Sequence, residues 1–253
     1  MDVKSFIADY REAFGAKAQL PIAFWYSAEA AAQTEKAGGC LFKHLDEILA
    51  GKTVSLNAEN IGCGGGKFYC GFTEMPEYVP QFVSTKERYK RSPELVLDMI
   101  HSLGVPKAKD NFLNFTLLDN LDTFEGPEGE DLEGLLFLAT PDVLSGLVSW
   151  ATFDRNEPDV VSSLFGSGCG NVVTQAAVEN AKGASGATGA EGAGAEGGYR
   201  SFIGFFDPSV RPYVDSNILS FTIPMSRFRV MYTTMRQSCL FDTHAWGKIR
   251  ERL

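Results

Sequence analysis

Two glycine-rich segments each carry a cysteine, and these are the places where the sequence suggests chemistry. The first covers residues 61–67 and contains Cys63, and the second covers residues 165–171 and contains Cys169. Glycine allows backbone conformations that other residues rarely reach, so such loops can bring N–H groups and a thiol close to a ligand. Cys63 and Cys169 are therefore the candidate catalytic residues, although the sequence does not define a reaction.

Both cysteines are predicted to lie at the start of a helix. Cys63 precedes a helix predicted over residues 66–72, and Cys169 precedes one predicted over residues 171–181. The positive end of a helix dipole favours a thiolate, and Lys67 adds to that field. A thiolate in this position can be a metal ligand, a redox thiol or a nucleophile, whereas a protonated thiol can simply pack as a small apolar group.

The five cysteines do not form the pattern of a disulfide framework, because their number is odd and they are widely spread. Three of them, Cys40, Cys63 and Cys169, are candidates to converge on an iron–sulfur cluster or a soft metal ion with an outside fourth ligand. Cys70 would lie about 10 Å along the helix axis from Cys63, so it is expected in the core. Cys239 is expected to be structural.

The glycines beside these cysteines offer another interpretation, in which their backbone N–H groups bind an anion. The residues predicted for this ligand are Gly64, Gly65, Gly66, Lys67, Gly168, Gly170 and Arg200. An arginine suits a carboxylate or a phosphate because its guanidinium can donate two parallel hydrogen bonds. The segment is not a Walker loop, since Phe68 follows Lys67 where that loop needs serine or threonine. No Ser-His-Asp order or H-E-x-x-H motif indicates a standard hydrolase or zinc protease.

The composition restricts the class of protein and its partners. The chain has 253 residues and a net charge of −9, which argues against nucleic acid or an anionic membrane as a partner. No apolar run reaches the roughly 18 residues that span a bilayer, and the first residues lack the features of a signal peptide. We expect a soluble cytoplasmic protein with a small-molecule or anionic ligand, and the oligomeric state stays open.

Two polar stretches are expected to be surface loops without a catalytic role. Five carboxylates fall within nine residues, which is typical of a solvated loop; they are Glu125, Glu128, Glu130, Asp131 and Glu133. Residues 182–198 have low complexity and no large apolar side chain. Such a stretch has little to bury, so it is predicted to be a mobile surface loop.

The remaining sequence alternates between strand and helix patterns. Short apolar runs predict strands over residues 21–26, 53–56, 112–118, 134–139, 160–164, 202–206 and 218–223. Apolar residues at helical spacing predict helices over residues 5–14, 41–49, 92–103 and 140–150, another beginning after Ser27 and one beginning at Pro224. These patterns predict an α/β fold, a mixed sheet with flanking helices. The order strand, helix, strand and glycine-cysteine loop occurs twice, which suggests two related halves, residues 1–110 and 111–253, packed as one domain.

Several segments together resemble one known family. They are residues 21–24, Cys40, residues 52–54 and 61–63, Gly71, residues 114–119 and 136–141, Gly168 and Cys169, Arg200, Asp207 and residues 220–224. In this order and spacing the chain resembles domain-of-unknown-function family 169, also called the archaeal ArCR family. The resemblance implies a single full-length α/β domain, residues 1–253, and no established activity. The low-complexity stretch 182–198 departs from the usual pattern of that family.

These observations leave three hypotheses for the function. In the first, the protein binds a small ligand, or a metal or iron–sulfur centre, at the two glycine-cysteine loops. In the second, it is an enzyme that uses Cys63 or Cys169 as a redox thiol or a nucleophile for group transfer. In the third, it is a non-catalytic interaction protein, and the glycines only allow helices and strands to pack closely.

Overall fold

A sheet of seven strands forms the centre of the fold. The computed structural model describes residues 2–34, 39–123, 131–164, 167–184 and 198–253. The strands are β1 (Ile22–Ser27), β2 (Val54–Leu56), β3 (Phe112–Leu117), β4 (Gly134–Ala139), β5 (Val161–Ser162), β6 (Ser201–Gly204) and β7 (Leu219–Pro224). Their order in the sheet is β2-β3-β1-β4-β7-β6-β5. Neighbouring strands pair antiparallel, except that β5 and β6 pair parallel.

Helices cover both faces of this sheet, which confirms the predicted α/β class with a mixed sheet. The α-helices are α1 (Val3–Phe14), α2 (Leu45–Leu49), α3 (Gly64–Tyr69), α4 (Val79–Gln81), α5 (Pro93–Leu103), α6 (Pro141–Ala151), α7 (Gln175–Ala184), α8 (Met225–Thr234) and α9 (His244–Arg250). Two π-helical segments, Phe82–Lys86 and Gly170–Thr174, follow α4 and precede α7. Short 3₁₀ segments are Leu41–His44, Leu118–Thr123, Arg211–Tyr213 and Met235–Gln237.

The first face of the sheet is covered by α1, α6, α8 and α9. Side chains of successive strand residues point to opposite faces, so Trp25 of β1 belongs to this face while Phe24 belongs to the other. Here Phe6 of α1 packs edge-to-face on Phe228 of α8, with ring centroids 4.9 Å apart. The indole N–H of Trp150 donates to a main-chain carbonyl of α8 at 2.9 Å, which satisfies its polar group in the core.

The second face carries both cysteine-containing helix starts. Its buried core includes Tyr69 and Cys70 from the end of α3. It also includes Cys169 and Val172 from the second helix start, the helical segment that leads into α7. The hydroxyl of Thr174 donates to the carbonyl of Tyr69 at 2.6 Å, so the two helices are joined directly. Segments about a hundred residues apart in the sequence therefore meet on one face of the sheet.

The helices that begin with a capping residue and a proline are confirmed. Ser92 accepts the N–H of Leu95 at the start of α5, and Thr140 caps α6 in the same way. The helix predicted after Ser27 is wrong, because residues 28–34 form no helix. The Ser27 hydroxyl donates to the carbonyl of Glu29 at 2.6 Å and so supports a turn instead of a helix cap.

The acidic stretch and the low-complexity stretch are described only in part. Glu133 was expected in a solvated loop, and this is wrong, because its carboxylate is buried and accepts hydrogen bonds from Lys109 and from Asn180. Its neighbours Glu125, Glu128 and Glu130 lie outside the described residues. Helix α7 continues to Ala184, and residues 185–197 of the predicted mobile loop also lie outside the described part.

The predicted duplication stays a hypothesis. Strands β1 and β4, one from each suggested half, are antiparallel neighbours at the centre of the sheet. Strand β3 begins after residue 110, yet it lies between β2 and β1 in the sheet. The spatial grouping of the strands therefore does not follow a division of the chain at residue 110.

Candidate thiol site

The first glycine-rich segment builds a helix start in which Cys63 is the cap. Cys63 has an extended backbone, and its Sγ accepts the N–H of Gly66 at 3.4 Å. A residue at this position satisfies one of the N–H groups that the first helical turn leaves without a partner. The cysteine side chain is exposed. Cys63 therefore places a solvent-accessible sulfur at the first turn of α3.

The second glycine-rich segment uses a different residue as its cap. The hydroxyl of Ser167 accepts the N–H of Gly170 at 3.0 Å, and its carbonyl accepts the N–H of Asn171 at 3.1 Å. Cys169 lies in the first helical turn instead of before it, and its side chain is buried. The expectation that Cys169 occupies a position like that of Cys63 is therefore wrong, because Ser167 is the structural counterpart.

The two helix starts pack against each other, and their glycines make this approach possible. A methyl group on Gly66 would lie 3.6 Å from Cβ of Cys63 and 3.9 Å from Sγ of Cys169. A methyl group on Gly170 would lie 3.3 Å from the ring of Tyr69. The nearest neighbour of the Gly66 methyl group would be Cγ2 of Ile61 at 3.2 Å, so Gly66 is enclosed by its own segment, whereas Gly170 lets the second helix start approach Tyr69 closely.

Two other glycines of these segments are covered by side chains. A methyl group on Gly64 would lie 2.8 Å from the hydroxyl oxygen of Tyr78, and one on Gly168 would lie 3.1 Å from the ring of Phe42. Gly65 differs, because within the described residues the Sγ of Cys63 is the single neighbour within 4 Å of such a methyl group, at 3.8 Å. The absence of a side chain at Gly65 leaves one approach to that sulfur open.

The thiols of Cys70 and Cys169 form a buried pair behind this helix start. Hydrogen bonding with Cys70, followed by burial, raises the pKa of Cys169 well above its ordinary value, and the charges of Cys40 and Cys63 raise it further. Cβ of Cys63 and Sγ of Cys169 lie 3.6 and 3.9 Å from the same point, the position of a methyl group on Gly66, so these two cysteines are close neighbours. These effects favour the protonated thiol at Cys169, which is the packing alternative that the sequence left open.

Cys40 has an exposure between that of Cys63 and that of the buried pair. It starts the 3₁₀ segment Leu41–His44 with an extended backbone, and its side chain is half-buried. Burial raises the pKa of Cys40 to about 11; the N–H of Phe42 acts in the opposite direction, and Cys63 is the first of the charged neighbours that raise it. The four cysteines thus differ in exposure, since Cys63 is exposed, Cys40 is half-buried, and Cys70 and Cys169 are buried.

One known protein family covers most of the chain. The profile of family DUF169, described as uncharacterised ArCR, matches residues 18–234. The chain belongs to the DUF169 family. The matched range includes all four sulfurs of the site, and it confirms the resemblance drawn from the sequence. No curated protein and no solved structure matches the chain, so DUF169 membership brings no activity with it.

A buried carboxylate belongs to the same region of this DUF169 protein. Asp207 is buried and accepts the N–H and the hydroxyl of Ser209 at 2.9 and 2.8 Å. Its negative charge is among the causes that raise the pKa of Cys40, although burial is the main cause there. The same charge adds to burial in raising the pKa of Tyr69, and it contributes to the raised pKa of Tyr89. Asp207 therefore lies near both tyrosines and the sulfur group.

The site does not have the geometry of a metal centre. Within the part of the chain that the structure describes, no group of three His, Cys, Asp or Glu side chains is placed to hold a metal ion. The predicted metal ligands Cys40, Cys63 and Cys169 do not form such a group, and bonds of about 2.3 Å to one metal ion would require the sulfurs to rearrange. An iron–sulfur cluster or soft metal is thus not assigned to these residues.

The groups predicted to bind an anion are largely engaged elsewhere. Arg200 donates from Nε and Nη2 to the buried carboxylate of Glu179 at 2.9 and 2.6 Å, and its guanidinium lies over the ring of Phe202. The N–H groups of Gly66 and Gly170 already bond to Cys63 and Ser167. These bonds tie the elements together and do not face an open anion site.

Sequence reasoning missed four contributors to the site: Cys70, Ser167, Tyr69 and Asp207. The motif Asp207-Pro-Ser209 carries a turn signal that predicts the bonds between aspartate and serine. Cys70 was predicted in the core and is buried, but nothing local predicts its pairing with Cys169.

Among the described residues, no helix is long and apolar enough to cross a membrane.

Proposed function

We propose that this protein is a thiol–disulfide exchange protein, with Cys63 as the attacking thiol and Cys40 as the resolving thiol. The observation that carries the proposal is the graded exposure of interacting sulfurs, from exposed Cys63 through half-buried Cys40 to the buried pair. Reactive cysteines are partly exposed and held near positive groups, whereas buried cysteines are inert. Among the sulfurs of the site, Cys63 is the exposed one.

The exchange takes two steps, and its atoms and electrons balance. The Cys63 thiolate attacks one sulfur of an external disulfide, the disulfide bond breaks, and one thiolate leaves with the bonding electrons. The Cys40 thiol then loses its proton and attacks Sγ of Cys63, which releases the second thiolate. Two protein thiols are oxidised to one disulfide, and the external disulfide is reduced to two thiols, which take up the protons.

Local features support each step. The N–H of Gly66 donates to Sγ of Cys63 and stabilises the negative charge that the attack needs. The missing side chain at Gly65 leaves room for the incoming disulfide, because attack requires access along the axis of the breaking bond. Gly39 precedes Cys40 with φ of 102°, a conformation that favours glycine and sets the direction of the segment carrying the resolving thiol.

The buried pair has a supporting role in this proposal. Cys70 and Cys169 are 1% and 5% exposed, and the pKa of Cys169 is raised by its hydrogen bond to Cys70 and by burial. Buried cysteines are inert because reagents do not reach them, so the pair fixes the packing of the two helix starts behind the reacting sulfurs. The cytoplasm expected from the sequence would keep these thiols reduced.

Binding of a soft metal ion is the second candidate function. The observation in its favour is the same convergence of four thiols, since thiolate ligands select soft metals. It requires Cys63, Cys40 and Cys169 to move into one coordination sphere, whereas thiol exchange needs only two sulfurs to meet. A stoichiometric metal ion in the purified protein is expected for metal binding and not for thiol exchange, so measuring the metal content decides between the two candidates.

The test uses reduced protein purified without oxygen and a neutral probe, bis(2-hydroxyethyl) disulfide. We expect Cys40→Ser to accumulate the mixed disulfide on Cys63, because its resolving thiol is missing, while Cys63→Ser does not react. Cys239→Ser is the matched control and should behave as the parent protein, because Cys239 has no part in the proposed exchange. Intact mass spectrometry reads the adducts. An unreactive Cys63, or a stoichiometric metal ion in the purified protein, contradicts the proposal.

A further inference from the structure

Buried polar side chains lie between the second helix start and strand β7. Asn171 belongs to the π-helical segment Gly170–Thr174, and Gln175 follows that segment directly. Ser220 and Thr222 belong to β7, and all four residues are at most 2% exposed. Within the described part of the chain, one polar atom of each has no hydrogen-bond partner: Asn171 Nδ2, Gln175 Nε2, Ser220 Oγ and Thr222 Oγ1. We call these four side chains the polar seam.

The helix follows β7 in the same direction, because contacts at two points fix its course. At the first point, a methyl group on Gly204 would lie 2.7 Å from Oγ of Ser220 and 3.5 Å from Cγ of Asn171, so these two side chains adjoin the same place. At the second point, the N–H of Ser226, beyond the end of β7, donates to Oδ1 of Asn180 at 3.0 Å. The start of the helix therefore lies at Ser220, and its later turns lie at the end of the strand.

This course places Gln175 opposite Thr222. Gln175 is four residues beyond Asn171, about 6 Å along a helix that rises 1.5 Å per residue. Thr222 is two residues beyond Ser220, about 7 Å along a strand that rises 3.4 Å per residue. Phe221, between the two hydroxyl residues, belongs to the core of the first face, so its neighbours point to the second face, where the helix lies. The polar seam thus consists of two facing pairs.

Other buried polar groups near this sheet bond directly to protein atoms. The hydroxyl of Ser55 donates to Oδ1 of buried Asn114 at 2.6 Å, and Nδ2 of Asn114 donates to the hydroxyl of Ser27 at 2.7 Å. Within the π-helical segment, the hydroxyl of Thr174 donates to the carbonyl of Tyr69. Buried polar groups are bonded in nearly all folded proteins, because an unpaired one costs free energy. The polar seam therefore requires a further bonding molecule.

We infer that the polar seam binds ordered water, with one molecule between Asn171 and Ser220 and another between Gln175 and Thr222. An amide NH₂ group can only donate, whereas a hydroxyl both donates and accepts, and a water molecule satisfies both kinds of group at once. A buried water molecule typically makes about three such hydrogen bonds. The seam carries no charged side chain to pair with an anion or a metal ion, and burying an unpaired charge is costly. The water joins the second helix start to the sheet, whether or not the thiols exchange.

A high-resolution crystal structure of the full chain tests this inference directly. We expect electron density for a water oxygen at hydrogen-bonding distance from both members of each pair. Direct bonds between the paired side chains, with no molecule between them, would overturn the inference. Density for an anion or a metal ion in the seam would also overturn it.

Isosteric variants give a second test through the sign of the change in stability. Thr222→Val removes the hydroxyl and keeps the shape of the side chain. A hydroxyl bonded to water should make its removal lower the folding equilibrium constant about 5-fold, whereas removal of an unbonded hydroxyl would raise this constant. Gln175→Met added to Thr222→Val should restore most of the loss, because neither side then needs a hydrogen-bonding partner.

Thr233→Val is the matched control. Thr233 is exposed, and its hydroxyl bonds within its own helix, so this change should alter the folding equilibrium constant less than about 2-fold. Chemical denaturation measures all three variants. A higher constant for Thr222→Val, or a further loss in the double variant, would contradict bound water in the seam.

Discussion

The two glycine-rich helix starts look alike in sequence, but the first exposes its cysteine and the second buries its cysteine. In the first, Cys63 is the cap, its sulfur accepts the N–H of Gly66, and the side chain is exposed. In the second, Ser167 is the cap for Gly170, and Cys169 falls inside the first turn and is buried. The position of a thiol relative to the helix start, not the presence of glycine and cysteine, decides whether it faces solvent or the core.

This difference separates the chemistry of the two thiols. Each start follows the pattern of a cap followed three residues later by a glycine, Cys63 with Gly66 and Ser167 with Gly170. Within this pattern Cys169 corresponds to Gly65, the open position beside the first sulfur. One helix start therefore offers a cysteine to solvent, and the other supplies a buried thiol that packs behind it.

The largest expected effect is a difference in reactivity between the two thiols. In native protein at pH 8, iodoacetamide should modify Cys63 at least about 1,000-fold faster than Cys169, because Cys169 is buried and its pKa is raised by hydrogen bonding to Cys70. Peptide mass spectrometry over time measures both rates. In denatured protein the two rates should become similar. Comparable rates in the native protein would remove the contrast between the helix starts.

A smaller effect is expected at Cys40, which stands between the two helix starts. A thiol with a pKa of about 11 carries about 100-fold less thiolate at pH 8 than one at the ordinary 9.0. Its alkylation in Cys63→Ser protein should therefore keep increasing with pH until about 11. Because this pKa is higher in the folded than in the unfolded chain, the stabilisation is complete below pH 9 and is lost as pH rises through 11.

Urea unfolding at pH 8 and pH 10.5 tests the stability part of this prediction. The free energy of unfolding should fall less between these pH values in Cys40→Ala than in the parent protein. Tyrosines also titrate in this range in both proteins, so the effect of Cys40 is the difference between the two falls in the free energy of unfolding. An alkylation profile for Cys40 with a midpoint near 9 would show that burial does not hold its proton.

The smallest effect concerns the caps themselves. Ser167→Ala should lower the free energy of unfolding by about 1 kcal/mol, because the N–H of Gly170 loses its acceptor. Cys63→Ser keeps an acceptor for Gly66 and should change stability by less than about 0.5 kcal/mol. Chemical denaturation of both variants gives the comparison. A larger loss for Cys63→Ser would mean that its sulfur has a structural role beyond capping.

Local sequence signals were sufficient for much of the fold. The pairs Ser92-Pro93 and Thr140-Pro141 predicted the starts of α5 and α6, because a hydroxyl cap and a first-turn proline act within a single turn. Apolar runs predicted the central strands β1 and β4, which are buried on both faces of the sheet. The helix expected after Ser27 failed because its hydroxyl bonds to a nearby carbonyl instead.

The candidate site was predictable only in part, because its contacts join distant segments. The sequence indicated Cys40, Cys63 and Cys169, but the role of Ser167 depends on where the second helix begins, within ±1–2 residues, which patterns do not define. The pairing of Cys70 with Cys169 depends on how α3 packs against the second helix start. Glu133 was misplaced because its burial depends on Lys109 and Asn180, which come from other elements.

The most direct test of the account is to map the disulfide formed in the unaltered protein. Reduced protein is treated with one equivalent of bis(2-hydroxyethyl) disulfide without oxygen, the remaining thiols are alkylated at low pH, and the peptides are analysed by mass spectrometry. We expect a disulfide bond between Cys63 and Cys40, with Cys70 and Cys169 recovered as free thiols. A protein whose first disulfide joins Cys70 to Cys169 while Cys63 stays reduced would contradict it.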